Sequence, residues 1–226
     1  MRISGSDLTV ISIADAAARP IEVELDDEAM ARVAQSHQRA TEISAIRPVY
    51  GRSTGVGGNR SVLVQPTIEN AQSLLRSHAT AAGPPRSIER VRAMLLVRLN
   101  QLCAGGAGIS SDVVRGLAEM IRADYIPVIR EHVGVGTGDL AALATTALAL
   151  QEFSNSPAAP IEPIMFGPHD ALSFMSSNAA SLADTALGLS RLSLATQSAL
   201  AVAALSFTAL EGNTEAYAEA VDRVTP

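Results

Sequence analysis

From Leu192 to Leu210 the chain runs without a formal charge, and this stretch limits what the whole can fold into more than any other. A helix over 185 to 210, apolar around most of its circumference, must be covered by other helices or by lipid. Ser193, Thr196, Gln197, Ser198, Ser206 and Thr208 interrupt the run with hydroxyls and an amide, so a buried bundle helix is expected rather than a membrane span. The chain itself offers few helices to surround it, which points to a partner that supplies the cover.

Apolar residue types make up 47% of the 226 residues and aromatic ones only 3%, with no Trp, so Ala, Leu, Val and Ile must fill the interior. That composition reads as tightly packed helices in one large domain or two small ones. All 17 basic residues are Arg, and 23 acidic residues bring the net charge to −6, which argues against non-specific binding to nucleic acid or an anionic membrane. Cys103 stands alone and forms no internal disulfide, and nothing at the N-terminus reads as a leader, so a soluble, cytoplasmic protein is expected. His37, His132 and His169 show no metal-ligand spacing with each other or with Cys103, which reads as a small core residue.

The pattern predicts a mainly α chain. Asp26-Asp27-Glu28 opens a helix carrying Ala29, Met30, Val33 and Ala34 at helical spacing; residues 1 to 25 read as short apolar runs among turn residues, with one strand signal at Ile21 to Leu25. A glycine-rich loop follows from Arg47 to Ser61. Helical spacing returns from about Thr67 to Ala82, stops at Gly83-Pro84-Pro85, and resumes behind Ser87 as N-cap. Ser110-Ser111-Asp112 caps a segment to about Asp124, and a second glycine run at 134, 136 and 138 leads through Asp139 into the apolar helix 140 to 150. Beyond a Ser/Pro/Ala linker, Ala171 to about Glu211 reads as nearly continuous helix. Residues 1–150 are expected to form an N-terminal domain and 151–226 the first part of a central long-helix bundle. Neither glycine loop ends in Lys-Ser/Thr or follows a predicted strand, which disfavours nucleotide binding.

Taken in order, several segments resemble the aromatic amino acid ammonia-lyase and aminomutase family. Val49-Tyr-Gly-Arg-Ser-Thr-Gly-Val-Gly57 resembles its tyrosine loop, and this is the most specific match. Glu24 to Ala34 is similar to its early helix; Leu74 to Ala79 and Val91 to Asn100 are similar to the helices after the loop. Gly134 to Leu143 is similar to the segment holding the family's Ala-Ser-Gly tripeptide, and Asp170 to Asn178 to the helix that normally ends in Asn-Gly-Thr. The resemblance implies the N-terminal half of an ammonia-lyase-like helical bundle with a loop-rich N-terminal region.

In that family Ala-Ser-Gly cyclises to an electrophilic methylidene-imidazolone ring. Here the aligned residues are Gly136-Thr137-Gly138, so a cyclised Thr would carry an extra methyl on the carbon to be attacked, and Ser176 stands where the family has Asn, with Asn178 two residues on. Joint departure favours a site without the ring, so no cofactor is expected. The family's later segments, including the arginine expected to hold the substrate carboxylate, lie beyond the matched half, and family sites are shared between subunits. The expectation is therefore a separate C-terminal-half chain, joined in a heterotetramer or larger hetero-oligomer acting on a small molecule.

By resemblance Tyr50 is the general acid or base, His78 helps select or protonate substrate, and Thr137 belongs to the ring; Gly57, Ser77, Ser176 and Asn178 are the substrate-side residues. The Ser77-His78 pair resembles histidine ammonia-lyases and some tyrosine aminomutases. Each has a blander reading: Tyr50 as packing, His78 as a hydrogen-bonded helix residue, Thr137 and Asp139 as a turn and the cap of the next helix, Ser176 and Asn178 as interhelical bonds. Arg92, Arg98 and Asn100 read as structural, on a solvated face or in intersubunit ion pairs. Three functions remain: ring-free elimination, isomerisation or cyclisation in a biosynthetic pathway, a ring-dependent lyase or aminomutase acting on histidine or tyrosine, and a non-catalytic scaffold.

Overall fold

A computed structural model describes every residue except Val133, Val135, Thr137, Thr225 and Pro226, and for Asp222 the backbone alone. Two compact units divide the chain, Met1–Leu187 and Gly188–Pro226. Both are mainly helical.

In the first unit, β1 (Arg2–Ile3) pairs in parallel with β2 (Glu24–Leu25), Arg2 opposite Glu24, which narrows the strand expected at 21 to 25 to two residues. Between them α1 (Val10–Ala17) starts in a reciprocal cap, the Thr9 side chain accepting from the Ser12 N–H while the Ser12 hydroxyl accepts from the Thr9 N–H. The surrounding turn residues hid this helix from the periodicity. Next, α2 (Asp27–Ile46) begins where expected, because Asp26 Oδ1 accepts from the Ala29 N–H at 2.9 Å and Asp27 and Glu28 occupy the positive end of its dipole.

Thr67 caps α3 (Ile68–His78), which stops short of the expected Ala82 because the chain turns into β3 (Ala82–Pro85). Ser87 caps α4 (Ile88–Cys103), and α5 (Ser111–Arg122) follows, ending in the left-handed Asp124. β3 pairs antiparallel with β4 (Arg130–His132), and Gly83 is required there: at φ +81° an added Cβ would lie 2.6 Å from the His132 ring.

α4 is the axis of the core, with eleven of its 16 residues buried, including Arg92 and Arg98. That corrects the solvated-face expectation for both arginines. Arg92 donates to Ala17 O at 2.7 Å and pairs with Asp124 at 2.8 Å, while Arg98 reaches the carbonyls of the short helix described next. Asn100 Oδ1 accepts from the Gly5 N–H. Cys103 is fully buried, and burial pushes its thiol up to about 11.

α6 (Leu140–Ser154) packs against α3, α5 and α7 (Ala171–Met175), and α8 runs from Ala179 to Ala209. The continuous helix expected from 171 is broken at Ser176–Asn178: Ser176 leaves helical geometry at φ −80°, ψ 81°, and α8 starts afresh beneath a cap. That cap is Asp139. Its side chain makes no capping bond to α6, as expected of it, but accepts from the Ser181 N–H at 2.8 Å and the Ser181 hydroxyl at 2.9 Å. On α8, Ala179, Ala180, Ala183, Ala186 and Leu187 are buried, whereas Leu189, Leu192, Leu194, Leu200, Val202 and Leu205 are exposed. By length and composition the span Ala171–Ala209 would suffice to cross a membrane.

The second unit holds the far part of α8, a turn through Glu211 and Gly212, a 3₁₀ turn at Thr214–Tyr217 and α9 (Glu219–Val224). Within it the Phe207 and Tyr217 rings meet edge to face at 5.4 Å.

Candidate active site

The tyrosine loop is held by its own backbone. Thr54 bridges Leu63, Val64 N–H donates to Ser53 O at 3.0 Å, and a 3₁₀ turn at Gly57–Asn59 closes the tip. Tyr50 leans over this tip, its hydroxyl accepting from the Gly57 N–H at 2.9 Å. Gly57 sits at φ +56°, a conformation that aims its N–H while costing glycine little. Tyr50 remains about half exposed.

Loop and α3 together border an open cavity of about 550 Å³. Gly55, Val56, Val62 and Val64 supply the loop wall, Asn70, Ser73, Leu74, Ser77 and His78 the helix wall, and Pro168 and Ala171 the end nearest α7. Ser77 and His78 thus face the space that the tyrosine loop borders. The Ser77 hydroxyl and His78 Nδ1 lie 3.1 Å apart, and both contact the Leu74 carbonyl, so the helix's own backbone orients the imidazole.

Ser176 and Asn178 belong to a second cluster, around the α7–α8 junction. Asp139 N–H donates to Ser177 O at 2.7 Å, and Gly138, at φ +102°, lies so near that an added Cβ would stand 3.1 Å from the same oxygen. The Gln101 amide joins this cluster to α4: its oxygen accepts from the Ser177 hydroxyl at 2.5 Å and from Arg98 Nη1 at 3.0 Å, and its nitrogen donates to Asn178 Oδ1 at 3.4 Å. Ser176 is exposed beside it. Thr137 lies outside the described residues. The structure therefore brings Gly138 and Asp139 beside Ser177 and Ser181, within the two segments singled out together from the sequence, and places Ser77 and His78 in the cavity wall, whereas Tyr50 and Gly57, bonded to each other, are not among the residues that line it.

α7 bridges the two clusters, and arginines hold it. Arg98 donates to the Phe174 carbonyl at 2.9 Å and to the Ser173 carbonyl, and stacks 5.9 Å over the Phe174 ring; burial pulls its guanidinium down to about 10. Arg52, next but one after Tyr50, donates through Nη2 to Ala107 O at 2.9 Å, Gly108 O at 3.2 Å and Ser173 Oγ at 2.9 Å. His37 and His169 stand edge to face at 6.4 Å nearby, and burial, then the Arg52 charge, lowers His169 below the usual histidine range. Among the described residues no group of three His, Cys, Asp or Glu is placed to hold a metal. Arg52, Gln101 and His169 carry this geometry yet were not selected from the sequence; for Arg52 the available signal was a single cation within the otherwise uncharged stretch Val49 to Gly57.

A family model for the aromatic amino acid lyases matches residues 8–226, and the chain belongs to that family. Tyrosine 2,3-aminomutase of Chondromyces crocatus is 40% identical over 154 residues, which are 66% of this chain and 29% of that protein. Histidine ammonia-lyase of Koribacter versatilis is 31% identical over 244 residues, 100% of this chain and 47% of its own length. Among solved structures, ergothionase from Treponema denticola, in complex with desmethyl-ergothioneine sulfonic acid, matches with a TM-score of 0.86 at 27% identity over 99% of this chain and 48% of its own. Phenylalanine aminomutase of Pantoea agglomerans matches with a TM-score of 0.86 at 27% identity over 100% of this chain and 47% of its own. The chain spans about half the length of the curated relatives it matches, or less.

Proposed function

We propose that this chain carries the tyrosine half of an ammonia-lyase-type active site and performs acid/base chemistry on a small molecule once a complementary half, supplied as a separate chain, covers α8. One observation carries the reading: a tyrosine hydroxyl is fixed by a glycine N–H on a loop that, with the Ser77–His78 pair, borders a cavity of substrate size. Tyr50 takes or gives the proton at the reacting carbon or nitrogen, His78 moves the second, and Ser77 fixes the imidazole. Elimination, isomerisation and cyclisation all reduce to such paired transfers. The bare apolar flank of α8, with no formal charge from 192 to 210, supports cover by other helices of a soluble, cytoplasmic hetero-oligomer, a heterotetramer or larger.

A second reading keeps the family's prosthetic ring, formed from Gly136-Thr137-Gly138. Gly136 at φ +95° and Gly138 at φ +102° favour it, since left-handed backbone at such glycines is compatible with a chain closing on itself. Against it stand the extra methyl of a threonine and Ser176 in place of asparagine. Intact mass separates the two, because the ring costs the polypeptide two waters. Replacing Tyr50 by Phe in the full assembly tests the acid/base role: turnover falls by about 10²–10⁴-fold. Unchanged turnover leaves the scaffold reading.

A further inference from the structure

Tyr50 stands inside a turn that closes on itself. The N–H groups of Arg52 and Ser53 donate to the Val49 carbonyl at 3.1 and 3.0 Å, and the Ser53 hydroxyl accepts from the Val49 N–H at 2.9 Å. The Gly51 N–H donates to Thr54 Oγ1 at 3.3 Å. A turn tied at so many points moves as one piece, and Tyr50 goes wherever the rest of it is fastened.

Arg52 fastens it. Nη2 reaches three acceptors outside the loop: the carbonyls of Ala107 and Gly108, between α4 and α5, and the hydroxyl of Ser173 on α7. Each acceptor is itself held. Ser173 Oγ donates to the His169 carbonyl at 2.8 Å, Arg98 donates to the Ser173 carbonyl, and the N–H groups of Gly106 and Gly108 donate to Ser36 Oγ on α2 at 3.0 and 3.1 Å. Gly108 leaves room for the approach, since a Cβ added there would lie 2.5 Å from Arg52 Nη2.

Stability does not account for this arginine. It is about nine-tenths buried, and burial outweighs the nearby Asp170 charge and pulls the guanidinium below its usual value. Both Asp170 oxygens are taken by the backbone N–H groups of Ser110 and Gly167, and Arg52 Nη1 is buried with no partner among the described residues. A buried cation with an unmade donor carries a cost that an apolar side chain of similar size would avoid. What the guanidinium supplies is direction, joining the turn to segments 55 and 121 residues further along the chain.

We propose that Arg52 is a positioning residue for Tyr50: it latches the turn at 49 to 53 onto Ser173 and onto the carbonyls of Ala107 and Gly108, and so sets where the phenol stands. The inference rests on the proposed function in taking Tyr50 as the acid/base group.

The test reads position without turnover, by magnetic resonance on the native assembly with isotope-labelled glycine in this chain. Tyr50→Phe deletes the acceptor of the Gly57 N–H and moves that amide resonance. Arg52→Gln moves it toward the same position although the phenol is still present, and amide exchange over residues 49 to 57 rises about tenfold while α4 is unchanged. Arg52→Lys, which keeps the charge but not the fork, recovers part of the shift. Ser173→Ala removes one acceptor and no charge; it moves the resonance partway and decides the matter alone if Arg52→Gln fails to fold. An unmoved Gly57 resonance in folded Arg52→Gln or in Ser173→Ala overturns the proposal. So does exchange that rises equally in α4, because Arg52 would then support the fold at large. None of these measurements uses the turnover of Tyr50→Phe, so the two readings fail separately.

Discussion

α4 and the outer part of α8 contradict what their compositions lead one to expect. α4 carries Glu89, Arg90, Arg92 and Arg98, yet it is the most deeply enclosed helix in the first unit. The outer part of α8 carries Leu192, Leu194, Leu200, Val202 and Leu205 with no charge from 192 to 210, yet those side chains are bare, Leu205 at 72% exposure. Burial within one chain therefore follows from which neighbours that chain provides, not from the hydropathy of the helix. α4 has α1, α2 and α5 around it, and its arginines are admissible because each finds carbonyls or a carboxylate. α8 past Leu187 presents its apolar residues bare, the surface on which the proposed covering half would pack.

The sharpest break of this contrast is a pair of matched truncations. Leu99→Ala, in the sealed centre of α4, is expected to cost about 2–5 kcal/mol in denaturant unfolding. Leu200→Ala in the isolated chain should stay within about 0.5 kcal/mol, then approach the α4 value once the assembly forms. A large effect in the isolated chain would mean that α8 is already covered. Arg98→Met comes next: it removes a buried donor set from the Ser173 and Phe174 carbonyls and from Gln101, and should cost about 1–3 kcal/mol by thermal unfolding.

Asp139→Ala should remove about 0.5–2 kcal/mol by unwinding the first turn of α8, seen as faster amide exchange at Ser181 and Leu182. The smallest effect is in pH. Burial alone would raise Asp184, but hydrogen bonds and charge from Arg90 and Arg86 outweigh it and hold the carboxyl below its ordinary value of 3.8. The folded value is thus lower than the unfolded one, so the stabilisation is fully present above 3.8 and is lost as pH falls through the depressed folded value. An acid titration of Asp184→Asn should be flatter than that of the unaltered chain across that window.

What the sequence made legible was local. Asp26, Thr67 and Ser87 announce their helices because a short side chain reaches a nearby N–H and nothing remote competes. Tyr50 with Gly57, and Ser77 with His78, were singled out from the resemblance, and each pair bonds within one contiguous segment. Asp139 shows where such reading stops: adjacent to α6, it was given to that helix, but its bond crosses 42 residues to Ser181. Arg52 reaches Ser173 across 121 residues, and the break at Ser176 depends on Asp139, so neither could be read from spacing alone. The β3–β4 pairing was missed for the same reason, since Ala82 to Pro85 looks only like a helix stop.

The single residue Asp139 has one further implication. Its side chain holds Ser181 and its backbone N–H holds Ser177, while the residue itself stands at the start of α6. The heads of two helices are thus fastened at one point, and whatever disturbs one start disturbs the other.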